Sequence, residues 1–337
     1  MLPKHLVFCG GGTRCLVFLQ TLVELEGRGV LQDVVHYWGT SAGSLLAALL
    51  AVSKSALAVK KVMLSADFSK FRDIDVTNLL NITASWGMDS GISLVCELER
   101  MFESLCAGSS KSTLSKYPGL HIIVADLTTH STLVCDSNSF PDLRIIDAVR
   151  ASMSLPIFFR PFEYNGHYWV DGGVRANFPW DYLPSDADRR EALGFMIEKG
   201  WMQGPKSFSE YIFSIIHFDE PKKYEAWKTV WADNIILYPP PPFPAWFMRL
   251  NPADFVMLET LGAQAAEAWV TRINSKQTPK TPGTLQNSVH HCTPLQELPQ
   301  HHTDGRSDIR TPLFSLSQDS SQHQLPRNAQ TSRRWSV

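Results

Sequence analysis

A serine between two glycines, in the segment Gly39-Thr40-Ser41-Ala42-Gly43, is the residue best suited to nucleophilic chemistry. The GxSxG spacing is typical of a nucleophile elbow, in which the serine lies on a strained turn between a strand and a helix. Glycines on both sides allow the neighbouring backbone to approach closely. A helix that begins at the serine directs its free N–H groups towards developing negative charge. The pattern therefore predicts Ser41 as a nucleophile.

A run of three glycines, in Gly10-Gly11-Gly12-Thr13-Arg14, precedes this serine and lies between a predicted strand and helix. Consecutive backbone N–H groups in such a loop suit either a phosphate or an oxyanion. A dinucleotide site would require GxGxxG, but Cys15 occupies the last glycine position, and no acidic residue ends the second strand. An oxyanion-binding loop and a simple tight turn both remain open from these residues alone.

A third segment with chemical potential is Asp171-Gly172-Gly173, which follows a predicted strand ending at Val170. An aspartate at a strand end can point into a site while the glycines turn the backbone away. A plain turn explains the same three residues.

The elements that would position these residues alternate between strand and helix in the first part of the chain. Glycine boundaries and the spacing of apolar residues predict this alternation. It implies parallel strand pairing with right-handed crossovers, and hence an α/β fold. The predicted elements are a strand at Leu6–Cys9, a helix at Arg14–Arg28, a strand at Val34–Trp38 and a buried helix at Leu45–Val52.

Further elements follow until about residue 274, after which the composition changes. We predict one domain over residues 1–274 and a disordered tail over 275–337, because the tail is rich in Ser, Thr, Gln, His and Pro and has little apolar periodicity. The tail histidines are more simply explained as solvated side chains than as metal ligands. Predicted strands are His121–Leu127, Thr132–Cys135, Ala192–Ile197 and a hairpin of Ile157–Tyr164 with His167–Val170 around Asn165-Gly166. Predicted helices are Ala56–Leu64, Leu94–Leu105, Ile145–Met153, Phe208–Phe218 and Asp254–Val270.

Composition narrows the class of protein. The 337 residues are 44 % hydrophobic and 19 % charged, as in ordinary globular proteins, and the net charge of −2 gives no electrostatic reason to expect nucleic acid. No apolar run reaches the roughly 18 residues of a membrane-spanning helix, and the N-terminal apolar run meets glycines too soon for a signal peptide. The six cysteines show no CxxC pair. We therefore expect reduced thiols and a cytoplasmic location.

Together, the glycine loop, the GxSxG serine and the later Asp-Gly-Gly resemble the patatin-like phospholipases in order and spacing, and Ala151–Pro156 is similar to a segment of small residues in that family. The resemblance covers about Lys4 to Trp180. It implies a three-layer α/β/α fold with a mostly parallel central sheet. It also implies a Ser–Asp dyad, with Ser41 as nucleophile and Asp171 as base, that needs no metal or cofactor. The residues implied for the oxyanion hole are Gly10, Gly11 and Gly12, with Arg14 nearby.

A Ser–Asp dyad places two physical demands on the structure. A solvated aspartate has a pKa near 3.9 and is a poor base for a serine hydroxyl, so Asp171 must be buried. The two side chains must also be in direct contact, about 2.6–3.2 Å apart. The implied activity is hydrolysis of fatty-acyl esters in lipids, of phospholipase A or lysophospholipase type, through an acyl-enzyme on Ser41.

Two other functions compete with this hypothesis. An α/β-hydrolase with a Ser–Asp–His triad would need a catalytic histidine late in the chain, for which His217 is the candidate, whereas His167 precedes Asp171. A domain that binds lipid without turnover is the non-catalytic alternative. Membrane contact at the periphery is expected in either case, together with an acyl-lipid ligand, while a protein activator is left open. The candidate membrane segment is the proline run Pro239–Pro242 with Phe243, Trp246, Phe247 and Met248. A proline-rich loop that packs these aromatic side chains on the core explains the same residues at least as well.

Overall fold

An eight-stranded sheet forms the centre of the computed structural model, which describes residues 2–73, 82–198, 211–212, 214, 220–243 and 249–277. Its strands follow the order β10-β9-β1-β2-β4-β8-β7, with β5 paired to β4 as well. A separate pair, β3 and β6, forms a small parallel sheet. The strands are β1 His5–Phe8, β2 His36–Thr40, β3 Gly87–Asp89, β4 Leu120–Asp126, β5 Ser131–Cys135, β6 Ile157–Phe159, β7 Phe162–Tyr164, β8 His167–Asp171, β9 Ala192–Ile197 and β10 Ile235–Tyr238.

Helices join and cover these strands. None of those in the described ranges is long and apolar enough to cross a bilayer. The α-helices are α1 Phe18–Gly27, α2 Ala42–Ser53, α3 Ala56–Ser65, α4 Ile82–Ser85, α5 Ile92–Leu105, α6 Ile145–Ser152, α7 Gly173–Ala176, α8 Asp186–Arg190, α9 Glu220–Val230 and α10 Pro252–Gln277. Short 3-10 helices lie at Gly12–Val17, Phe68–Phe71, Ser109–Lys111, Leu114–Lys116 and Pro179–Tyr182.

The parallel part of the sheet comprises β10, β9, β1, β2 and β4. All residues of β1, β4 and β9 are buried, as expected for parallel strands that are covered on both faces. Helix α2, in which ten residues are buried, packs on β1, β2 and β4. The predicted α/β fold with a mostly parallel sheet is confirmed.

Several element boundaries differ from the sequence prediction. The predicted strand Ile157–Tyr164 is interrupted, so that β6 pairs with β3 while β7 pairs with β8. Pro161 lies at the break, and proline has no N–H to donate to a strand ladder. The first predicted helix begins as the 3-10 turn Gly12–Val17, and β2 starts and ends two residues later than predicted. Strands β3 and β10 were not predicted.

The C-terminal part of the described chain also corrects the prediction. Helix α10 continues to Gln277, so residues 275–277 of the predicted disordered tail are helical. In this last turn, Lys276 Nζ lies 2.6 Å from a carboxylate oxygen of Asp233. The rest of the predicted tail, and most of the predicted helix Phe208–Phe218, lie outside the described residues.

Strand β4 determines where the two predicted catalytic segments meet. On one edge it pairs first with β2, with Thr40 opposite Ile123, and then with the antiparallel β8, with Asp171 opposite Val124. Its other edge pairs with β5 along the same stretch. The carboxyl ends of β2 and β8 therefore approach each other from opposite directions, at consecutive positions of β4.

Candidate active site

Ser41 lies in a strained turn between β2 and α2. Its φ of 54° and ψ of −129° are unusual for a residue with a side chain, and such strain is typical of a nucleophile elbow. Gly43 makes the turn possible, because a Cβ there would lie 2.5 Å from the Cys9 carbonyl oxygen. The N-terminus of α2 can thus pack directly against the end of β1, beside the glycine loop.

The Ser41 hydroxyl donates a hydrogen bond to Asp171, with 2.6 Å between Oγ and Oδ2. The other carboxylate oxygen accepts the Gly173 N–H at 2.7 Å. Burial raises the pKa of Asp171 to about 7, although the hydrogen bonds from Ser41 and Gly173 oppose the shift. The structure therefore brings the predicted nucleophile and base into direct contact, and the carboxylate has the basicity that the dyad requires.

Gly172, the residue after the aspartate, allows the chain to turn away over β4. A Cβ at this position would lie 2.3 Å from the Ile123 carbonyl oxygen. A side chain would therefore force β8 away from β4, and with it Asp171 away from Ser41. The Asp-Gly-Gly segment is thus both a turn and the support of a site residue.

The end of α6 holds the backbones of both dyad residues, which the sequence reasoning did not foresee. The Ser41 N–H donates to Ser152 Oγ at 2.9 Å, and that hydroxyl donates to the Ile123 carbonyl at 2.6 Å. The Asp171 N–H donates to the Ser154 carbonyl at 2.9 Å. The small residues of the segment 151–156 were the available signal, since two of them, Ser152 and Ser154, make these bonds.

The glycine loop supplies fewer free donors than predicted. The Gly10 N–H donates to the Asn177 carbonyl oxygen at 2.9 Å, so Gly10 has no N–H left for an oxyanion in this conformation. The N–H groups of Gly11 and Gly12 have no hydrogen-bond partner among the described residues. Gly12 has a φ of 56°, which turns the chain into the 3-10 helix. Of the three glycines, Gly11 and Gly12 remain candidates for the oxyanion hole.

Arg14 contacts a different part of the chain from the one predicted. Its Nε donates to the Phe243 carbonyl oxygen at 2.6 Å, and it is not among the residues that line the cavity beside Ser41. Phe243 is itself buried, so its predicted contact with a membrane is wrong. Of the proline run in that prediction, Pro239, Pro240 and Pro242 are exposed and Pro241 is buried. Trp246, Phe247 and Met248 lie outside the described residues.

An apolar cavity of about 580 Å³, including its open mouth, adjoins Ser41. Cys15 contributes to its wall, and burial raises the pKa of this thiol well above its usual value, so it stays protonated. The apolar lining suits a hydrocarbon chain, because a long apolar group gains free energy when it leaves water. The lining residues are Gly12, Thr13, Cys15, Leu16, Ser41, Ala42, Leu45, Met63, Phe68, Phe71, Leu94, Met153 and Phe159.

A triad histidine is not found among the described residues near the dyad. The Nδ1 of His167 lies 2.8 Å from an oxygen of Asp126 rather than contacting Asp171. His217 lies outside the described residues. Asp171 already makes two hydrogen bonds, to Ser41 and Gly173, without a histidine.

The known proteins that are similar to this chain include two from viruses. An uncharacterized protein of Acanthamoeba polyphaga mimivirus is 24 % identical over 193 residues, which is 57 % of this chain and 65 % of that protein. A probable lipid hydrolase of Invertebrate iridescent virus 6 is 26 % identical over 182 residues, or 53 % of this chain and 62 % of that protein. The matches thus span less than two thirds of either relative.

Among solved structures, VipD from Legionella pneumophila has a similar fold, with a TM-score of 0.54 at 17 % identity. The superposition covers 81 % of this chain and 67 % of that one. A family model described as patatin-like phospholipase matches residues 6–184, the stretch that contains the glycine loop, the serine elbow and the aspartate. With more than half of its residues in that match, the chain belongs to the patatin-like phospholipase family.

Proposed function

We propose that this protein hydrolyses fatty-acyl esters of lipids, with Ser41 as nucleophile and Asp171 as base. The observation that carries the proposal is the 2.6 Å hydrogen bond from Ser41 Oγ to a buried aspartate whose pKa is raised to about 7. A base with a pKa near the ambient pH takes up and returns protons readily. Membership of the family and the similarity to a probable lipid hydrolase support the substrate class.

The proposed reaction uses this geometry. Asp171 Oδ2 takes the proton of Ser41 as its Oγ bonds to the ester carbonyl carbon. The N–H groups of Gly11 and Gly12, with the N-terminus of α2, stabilise the resulting oxyanion. The C–O bond to the alcohol then breaks, and Asp171 protonates the departing alkoxide. In the second half, Asp171 takes a proton from water, whose oxygen attacks the acyl-enzyme, and the fatty acid leaves as Ser41 regains its proton.

The cavity beside Ser41 supports one orientation of the lipid ester. Its walls beyond Ser41 are formed by apolar side chains, among them Met63, Phe71 and Leu94. The acyl chain therefore lies in the cavity, and the alcohol part points to the open side. Burial of each methylene group contributes about 0.8 kcal/mol, so long-chain esters bind best.

The test is release of fatty acid from phospholipid vesicles and from a water-soluble short-chain ester, together with labelling by a fluorophosphonate. We expect wild type to release acid and to be labelled, and Ser41→Ala to do neither. Asp171→Asn should lose at least a thousandfold in kcat, because the remaining amide accepts no proton. Ser115→Ala and Asp186→Asn, at exposed positions, are the matched controls.

Full activity of Asp171→Asn would contradict the dyad and direct the search to another base, with His217 as the first candidate. Labelling of Ser41 without turnover of either ester would favour the non-catalytic lipid-binding alternative. Loss of activity in Ser41→Ala and in Asp171→Asn, with both controls active, would establish the proposal.

A further inference from the structure

Three large apolar or aromatic side chains are exposed next to one another on the surface. Trp86 is 55 % exposed, Leu127 is 44 % exposed and Tyr168 is 36 % exposed. The rings of Trp86 and Tyr168 meet edge to face, with their centroids 5.2 Å apart. The Leu127 N–H donates to the Tyr168 carbonyl at 2.9 Å. We call these three residues the rim patch.

The rim patch lies at the carboxyl end of β4, the same end of the strands as Ser41, and extends further in that direction. Val124 of β4 is opposite Asp171, and Leu127 follows three residues later along the strand. Tyr168 likewise lies three residues from Asp171 along β8. At about 3.3 Å per residue, Leu127 and Tyr168 lie roughly 10 Å beyond the dyad along these strands.

Hydrogen bonds hold the turn of the rim patch in place. The buried Asp126 accepts from the Thr128 N–H, the Thr129 hydroxyl and His167, each at 2.8 Å. Thr128 also accepts the Tyr168 N–H at 3.0 Å. The exposed turn after β4 is thus hydrogen-bonded to β8. These bonds fix the Leu127 side chain outwards, so that it is not free to fold onto the core.

Trp86 is held outwards by a strained backbone. Its φ is 57°, a left-handed conformation that bulky residues rarely adopt. The next residue, Gly87, is paired to Ile157 at the start of the small sheet, and this pairing fixes the strained position. The same small sheet includes Phe159, which lines the cavity beside Ser41, so the rim patch and the cavity share a structural unit. Backbone strain of this kind is common at functional sites.

We propose that the rim patch docks the active-site edge of the protein on a lipid surface. The proposal rests on the proposed function, since a lipid ester must pass from a lipid surface to the cavity. Trp and Tyr favour the boundary between water and hydrocarbon, because their rings are apolar with one polar group. None of the three side chains carries a charge, so insertion of apolar surface drives docking rather than attraction to anionic headgroups.

The test measures binding of the full chain to sucrose-loaded phosphatidylcholine vesicles by sedimentation, in a Ser41→Ala background that prevents turnover. We expect Trp86→Ser and Leu127→Ser each to lower the partition coefficient about tenfold, since burial of one large apolar side chain contributes about that factor. Val35→Ser is the matched control. Val35 is 53 % exposed and precedes β2, so it lies at the opposite end of the strands from the rim patch. This variant should therefore bind as the parent does. Raising NaCl from 0.1 to 0.5 M should change binding less than twofold.

Activity separates this proposal from the proposed function. With Ser41 intact, Trp86→Ser should hydrolyse a water-soluble short-chain ester at the wild-type rate but vesicle lipid at least fivefold more slowly. Vesicle binding without hydrolysis of either ester by wild type would contradict the proposed function and leave docking supported. Unchanged binding of Trp86→Ser and Leu127→Ser, or no vesicle binding by the parent, would overturn docking. Loss of a dimer on substitution of Trp86, seen by analytical ultracentrifugation, would overturn it in favour of a second copy as occupant.

Discussion

Replacing Asp171 by asparagine should abolish activity and yet stabilise the folded protein at alkaline pH. The carboxylate lies in a buried site, 3 % exposed, where desolvation raises its pKa from the ordinary 3.9 to about 7. Ionisation of this group is therefore less favourable in the folded than in the unfolded protein. A shift of about three units corresponds to about 4 kcal/mol of lost stability at high pH, at 1.36 kcal/mol per unit.

The sign of the pH dependence follows from proton binding. Between pH 3.9 and about 7, the unfolded chain has released this proton while the folded protein retains it. The free energy of unfolding therefore decreases as the pH rises through this window, and the contribution is constant above it. An asparagine has no such proton, and it keeps both hydrogen bonds: its oxygen accepts from Gly173 and its amide donates to Ser41.

Urea unfolding of wild type and Asp171→Asn, followed by tryptophan fluorescence at pH 5.0 and pH 8.5, measures the effect. The stability of the variant relative to wild type should increase by about 3 kcal/mol between these pH values, because most of the titration window lies between them. Asp186→Asn, at an exposed aspartate, controls for the general loss of one negative charge. A relative stability of Asp171→Asn that is the same at both pH values would refute the assignment of a buried, basic carboxylate.

Three further predictions concern Ser152, which supports the dyad, His121 near the start of β4, and Leu94 in the wall of the cavity. Ser152→Ala should lower kcat at least tenfold with KM little changed, and cost about 1–3 kcal/mol in urea unfolding, because it leaves the Ser41 N–H without its partner; a change in KM alone would contradict this role. Burial and the nearby His36 lower the pKa of His121 to about 4, despite the opposing effect of Asp136. Wild type should therefore lose about 2 kcal/mol of stability between pH 7 and pH 5, and His121→Gln should not show this loss; equal pH profiles of stability in the two proteins would contradict the prediction. Leu94→Phe should lower kcat/KM for 16-carbon esters about fourfold relative to 4-carbon esters, because the larger side chain fills space in the cavity equivalent to about one methylene group; an equal effect on both esters would show that the chain lies elsewhere.

The sequence alone was sufficient to predict the local features of this protein. The glycines around Ser41, the apolar helix that follows and the strand before Asp171 are signals carried by neighbouring residues. Local backbone geometry depends on such neighbours, and so the elbow, the α/β alternation and the catalytic candidates were predictable. The strand at Ile157–Tyr164 was predicted too long because apolar content outweighed the single proline that breaks it.

Only the tertiary structure decided which residues meet. The contact between Ser41 and Asp171 spans 130 positions and depends on β2 and β8 ending at consecutive residues of β4. Strand order and register minimise the free energy of burial over the whole sheet, and no local pattern encodes them. For the same reason the sequence did not reveal that Gly10 bonds to Asn177, or that Ser152 holds the nucleophile. Exposure of the rim patch likewise results from how the strands extend beyond the dyad. The sequence did not reveal it, because the type of an apolar residue does not determine whether the fold buries its side chain or leaves it in water.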